Sequence, residues 1–233
     1  MARQEQVLAV PRHKLLEAGL TAGLIGDRAM IGRIQQRVLD HGDFYPRDQV
    51  EKDASLLQPV PCAIVHSGER ILVLERSERS GKKKHPLHGK LVLWAGGHVR
   101  IEDALTGTFD VWLEALEREI EEELDLPKVG TAEIQAVVWD GRALHFGVVF
   151  DIPALGHDGM AVGTNSEFRA RSQGSSASIF MSLDEIAARL SRLDSWSRII
   201  WTELFDRHMR MRGASTRPLQ APLAVIIGDN LQN

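Results

Sequence analysis

The chain has little of several features that would mark common protein classes. Its 233 residues include one cysteine, Cys62, which excludes a disulfide framework and any multi-cysteine zinc site and fits a reducing compartment. No apolar run approaches the roughly 18 residues of a membrane span. The opening residues, Met1–Lys14, lack the apolar core of a signal peptide, so a cytoplasmic location is expected. Positive charge is not in excess either. With 28 basic and 32 acidic residues the net charge is −4, which argues against sequence-independent nucleic-acid binding. The nine histidines show no HxxxH or HxH spacing that would announce zinc. Gly19, Gly23 and Gly26 lack dinucleotide-loop spacing, and Gly81-Lys82 is not a P-loop because Arg76 stands where its first glycine belongs. Gly174–Ser178 fails the GxSxG pattern of a nucleophile elbow at its last position. There is no repeat of fixed period.

What is present is the composition of a globular domain, 43% hydrophobic and 26% charged, long enough to bury a core without staples. Residues 1–57 read as an N-terminal extension, with a short strand at Glu5–Val10 and a helix at Arg28–Leu39. Val60–His66 and Arg70–Arg76 form a hairpin across Ser67-Gly68-Glu69, and Leu91–Trp94 is a strand running into Gly96-Gly97. A helix follows at Val111–Leu124, then strands at Glu133–Trp139 and Ala143–Ile152 joined at Asp140-Gly141. Gly156–Ser178 reads as a surface loop. Helices at Ser182–Leu190, opened by a Ser182…Glu185 capping box, and at Trp196–Met211 close the domain. This order predicts an α/β domain over 58–211 with a mixed sheet between helical layers, and a tail over 212–233. Trp196, Trp201 and Phe205 read as packing or interface residues, and a homodimer is compatible with them.

The segment Leu113–Leu124 carries the chemistry. On a helical wheel Leu113, Leu116, Ile120 and Leu124 make an apolar stripe. Glu114, Glu117 and Glu121 share one flank, while Glu119, Glu122 and Glu123 share the other, within about 100°. Like charges at this spacing weaken a helix by a few tenths of a kcal/mol. A divalent cation in the cluster would offset that, since Mg²⁺ and Mn²⁺ take oxygen ligands and bridge to phosphates. The alternative is a solvated acidic face on an interaction protein.

Together, Gly96-Gly97-His98 and Arg118-Glu119-Ile120-Glu121-Glu122-Glu123 resemble the box of the Nudix hydrolases (MutT-like), with Ala115 and Leu126 also at matching positions. The match departs from the family pattern twice. Asp125 replaces the closing glycine. Twenty residues separate Gly97 from Arg118 where the family has thirteen, so the box is stretched around Asp103–Phe109. Asp103 and Asp110 both compete for the early acid of the box. The resemblance implies an α/β/α sandwich and metal-dependent hydrolysis of a diphosphate linkage in a nucleoside diphosphate derivative, a small-molecule nucleotide substrate. It implies Mg²⁺ or Mn²⁺ on Glu119, Glu122, Glu123 and the Gly97 carbonyl, with Glu119 and Glu122 catalytic and Arg118 orienting a catalytic glutamate. The general base would come from outside the box, with Glu167 preferred over Asp158 and Asp140. Lys82 and Lys84, within a basic stretch, and His98 are the candidates for substrate phosphate. A nucleotide sensor of the same fold that binds without cleaving is the competing reading.

Overall fold

The apolar runs read as strands do form strands, and nearly all of their Val, Ile and Leu side chains are buried. The computed structural model describes residues 4–76, 89–104, 110–124, 132–154 and 175–206. In chain order these contain β1 (Gln6–Pro11), α1 (Arg12–Glu17), β2 (Gly23–Ile25), α2 (Arg28–His41), β3 (Asp43–Pro46), α3 (Arg47–Val50), β4 (Leu56–Ser67), β5 (Arg70–Arg76), β6 (Leu91–Val92) and β7 (Ala95–Gly96). There follow α4 (Ile101–Ala104), α5 (Val111–Leu124), β8 (Ile134–Trp139), β9 (His145–Pro153), β10 (Ser175–Ser182), α6 (Leu183–Ala187) and α7 (Ser195–Ile200). A 3-10 turn at Leu190–Arg192 and a π-helical turn at Trp201–Asp206 complete the set.

The chain divides into two compact units, each assembled from separated segments. The first is Met1–Cys62, Gly96–Arg118 and Glu133–Phe150; the second is Ala63–Ala95, Glu119–Ala132 and Asp151–Asn233.

In the first unit β1 runs antiparallel to β3, from Gln6 opposite Pro46 to Ala9 opposite Asp43, and its end pairs with β4 at Val10 and Leu57. Val7, Ala9, Val50 and Leu56 close a small core there, with Tyr45 packed against it. Antiparallel pairing also joins β2 to β8 and β8 to β9, where Phe146 and Phe150 are fully buried. Helix α2 starts where Asp27 accepts a hydrogen bond from the Met30 amide and buries Ile31, Ile34 and Val38 at helical spacing. Asp140 Oδ1 accepts from the amides of Arg142 (2.9 Å) and Ala143 (2.7 Å), organising the turn between β8 and β9.

In the second unit β5 pairs antiparallel with β10 and with β6, and the β4–β5 hairpin closes at Ser67 and Arg70 across Gly68, whose φ is 58°. A bridge between Leu91 and Leu193 is parallel, so the pairing is mixed as expected. The Ser182–Glu185 capping box is formed, and Trp196, Trp201 and Phe205 are buried in packing. One expectation needs correction: the stretch read as a loop to Ser178 meets β10 at Ser175. The last helix runs as α7 into the π-helical turn at Trp201–Asp206, and residues 207–211 of it lie outside the described residues. No described helix is long and apolar enough to cross a membrane.

The second unit also holds a buried acid and base side by side. His66 Nε2 on β4 lies 3.5 Å from Asp151 Oδ1 on β9, with side-chain exposures of 11% and 5%. Burial raises the Asp151 carboxyl to about 7 and lowers the His66 imidazole, both toward neutral forms. The Asp151 carboxyl holds its proton more tightly folded than unfolded. Its contribution to stability is therefore full below the ordinary carboxylate pKa and is lost as pH rises toward about 7. His66 works in the opposite sense, since its contribution is lost as pH falls below the ordinary imidazole value. Asp151→Asn removes the first effect only. Between pH 5 and pH 8 the wild type should lose roughly 2–3 kcal/mol relative to this variant in denaturant titrations. Parallel pH curves for the two proteins would refute the assignment.

Candidate functional site

Helix α5 spans Val111–Leu124 as expected, and its apolar stripe is buried except at Leu113. Trp112, Ala115, Leu116, Ile120 and Leu124 are buried, whereas Leu113 is only partly so, and Glu119 lies in the buried face at 9% exposure. A carboxylate in that position must be compensated, because desolvating a charge costs several kcal/mol otherwise. The residues of α5 up to Arg118 belong to the first unit and those from Glu119 to the second.

Within the first unit, Arg118 is the centre of a fixed arrangement. Its Nε donates to Asp103 Oδ1 at 2.7 Å and its Nη2 to Asp103 Oδ2 at 2.9 Å, a two-pronged ion pair in which the Asp103 side chain is 4% exposed. The same Nη2 donates to the His98 carbonyl at 2.9 Å. Asp103 sits in α4, where Oδ2 also accepts from the Arg100 amide at 2.7 Å. Asp110 does something different. Its Oδ1 accepts from the amides of Trp112 (3.1 Å) and Leu113 (3.2 Å), capping the start of α5. Asp103 thus holds the arginine, and Asp110 starts the helix.

The first glycine of the Gly96-Gly97 turn has a steric cause. Gly96, at φ 152°, lies in β7 against the β4 backbone, leaving no room for a side chain beside the Pro61 carbonyl and Cys62. The close approach that the glycine permits is to a neighbouring strand. Next to it, His98 Nε2 lies 3.1 Å from His145 Nε2, the rings edge to face. Burial, with the positive charges of Arg47, His145, Arg100 and Arg118, lowers His98 to about 3. Burial lowers His145 too. Burial thus favours the neutral form of both rings.

Within the second unit, Glu122 is exposed and Glu123 is largely buried, with its Oε1 accepting from Arg76 Nη1 at 2.9 Å. Glu123 Oε2 is buried with no hydrogen-bond partner among the described residues. No group of three or more His, Cys, Asp or Glu side chains is poised to hold a metal ion among the described residues. Glu167, Asp158, Lys82 and Lys84 lie outside the described residues, and Asp140 is engaged in its turn. Arg76 and His145 were not singled out from the sequence. An arginine ending a strand and a histidine starting one carry no local signal of such partners.

No protein-family profile and no curated protein sequence matches the chain. Solved structures do. Tm1382, a candidate Nudix hydrolase, is 21% identical with a TM-score of 0.62, over 87% of this chain and 100% of that one. The MutT NUDIX hydrolase from Burkholderia pseudomallei is 22% identical over 61% of this chain and 93% of its own, with a TM-score of 0.42. A bifunctional NMN adenylyltransferase/ADP ribose pyrophosphatase from Francisella tularensis, complexed with AMP and an Mn ion, is 16% identical over 77% and 49%, with a TM-score of 0.47. At these identities the likeness is one of fold, and the first structure carries it. A match over 87% of the chain cannot be confined to residues 58–211, so it takes in part of the N-terminal region. The chain has the fold of the Nudix hydrolases, and the shared fold reaches beyond the segment where its box lies.

Proposed function

We propose that the protein is a pyrophosphohydrolase acting on a nucleoside diphosphate derivative. One observation carries the reading. Arg118, at the head of the Glu119–Glu123 run, is locked by both oxygens of a buried Asp103 and by the His98 carbonyl. A surface helix with a merely solvated acidic face has no use for so constrained an arginine. In the proposed reaction a water oxygen bonds to one phosphorus, the bridging P–O bond breaks, and two phosphate monoesters leave.

The donor set fits a hard divalent cation in kind, since it offers carboxylate oxygens, and Glu123 Oε2 is a buried acceptor with no hydrogen-bond partner among the described residues. Glu119, Glu122 and Glu123, with the Gly97 carbonyl, would hold Mg²⁺ or Mn²⁺. When bound, the cation would neutralise diphosphate charge and make water a nucleophile near neutral pH. Arg118 would orient a catalytic glutamate. Glu119 and Glu122 are the carboxylates assigned to the chemistry, and Glu167 is the base that accepts the water proton. Lys82, Lys84 and His98 are assigned to the substrate phosphate.

The test is hydrolysis of a panel of nucleoside diphosphate derivatives with Mg²⁺ or Mn²⁺. Turnover by the wild type should fall by roughly 10²–10⁴ in Glu122→Gln and Glu123→Gln. Retained activity in both variants would refute the assignment. The Arg76 contact to Glu123 favours one alternative, a nucleotide sensor, and nucleotide binding without product would establish it.

A further inference from the structure

We infer that the N-terminal region positions Arg118, acting through the segment from His98 to Asp103; the inference rests on the reading of Arg118 proposed above. This segment receives the arginine twice, at the His98 carbonyl and at the Asp103 carboxylate. It begins after β7 has ended, and its extended part takes its backbone partner from β1. The Leu8 amide donates to the Val99 carbonyl at 2.9 Å, and Val7 bridges Arg100 in antiparallel register. Side chains extend the contact. Glu5 joins two arginines, with Oε1 3.2 Å from Arg100 Nε and Oε2 3.1 Å from Arg47 Nη1, while the Arg47 amide donates to the Glu5 carbonyl at 3.0 Å. Arg100 in turn donates its amide to Asp103. A continuous path of contacts therefore runs from Glu5 through Arg100 and Asp103 to Arg118.

Physical reasons make this bracing consequential. A two-pronged guanidinium–carboxylate pair has a narrow geometry, so small displacements of Asp103 weaken both prongs together. The residues inserted relative to the family pattern lie roughly at Asp103–Phe109, between this segment and α5. Strand β1 can serve as a rigid brace because Val7, Leu8, Ala9 and Val10 are all buried. A region that reads from sequence as an appendage is thereby a working part of the site, and Glu5 is a positioning residue.

Glu5→Gln tests this, since it removes the charge shared by Arg47 and Arg100 and leaves the apolar face of β1 intact. The readouts are solvent exchange of the Arg118 Nε–H by nitrogen-15 NMR and amide exchange of residues 99–103. Both should quicken by about fivefold, the scale on which opening a part-exposed ion pair acts. Glu51→Gln, which removes the other carboxylate on Arg47, should leave both unchanged. In a turnover assay Glu5→Gln should lower kcat with KM held. Unchanged exchange in Glu5→Gln, or equal quickening in Glu51→Gln, would overturn the inference. Should Glu5→Gln not fold, Glu5→Asp takes its place, keeping the charge but shortening its reach. The exchange readouts need no substrate. A protein that fails to hydrolyse can still obey this prediction, and an active one can still refute it.

Discussion

Asp103→Asn should cost about 3–5 kcal/mol of stability, whereas Asp110→Asn should cost a few tenths at most. The two substitutions are chemically identical, and the difference lies in what each oxygen does. At Asp110 the side chain accepts amide hydrogen bonds at the start of α5, and the oxygen of asparagine does this as well. At Asp103 both oxygens are used, by Arg118 and by the Arg100 amide, and the group is almost wholly buried. An amide there turns an N–H toward a donor and leaves the guanidinium without its countercharge. Chemical denaturation of both variants measures the gap directly. Similar losses would show that the arginine pair carries no special weight. Under the proposed function, Asp103→Asn should also depress turnover in the fraction that remains folded.

Gly96→Ala is the second substitution with a large expected effect, more than about 3 kcal/mol and enough to prevent accumulation of folded protein. A Cβ at Gly96 would collide with the Pro61 carbonyl oxygen and approach Cys62 Cα to 2.9 Å, and both obstacles are backbone. The residue is also at φ 152°, where L side chains are rare. Neither obstacle can rotate aside as a flexible side chain could. Gly68→Ala is the matched comparison. It has positive φ but nothing within 4 Å, so only the conformational cost of about 1–2 kcal/mol applies. Comparable melting temperatures for the two variants would refute the steric account.

Much of this architecture was legible in the chain because its signals are local. Helix α5 has the expected limits because Asp110 caps it and its apolar residues keep helical spacing. The hairpin at Gly68 follows from two β-branched runs and a turn glycine. The Glu run resembled a known box because spacing along one helix is preserved in sequence. What stayed hidden depends on contacts between distant segments. Nothing near Asp103 announces Arg118, fifteen positions on, and nothing near Val7 or Glu5 announces Val99 or Arg100. In the apolar stripe of α5, Leu113 is only partly buried for the same reason. Leu113 is more apolar than Glu119, but the tertiary environment buries Glu119. The approach of Pro61 and Cys62 to Gly96 was equally hidden, since sequence states the freedom of a glycine but not what approaches it.

The interleaving of segments has a consequence for the birth of the protein. The first unit needs Met1–Cys62, Gly96–Arg118 and Glu133–Phe150, so it cannot be completed until the ribosome has passed residue 150. Strand β1 can pair with β3 once Asp43–Pro46 is made, but Val7 and Leu8 must wait for their Arg100 and Val99 partners. Non-local pairing of this kind slows folding and lengthens the time for which apolar strands are exposed. The side of β1 that Val99 and Arg100 cover therefore stays open until those residues emerge, after its pairing with β3 has become possible.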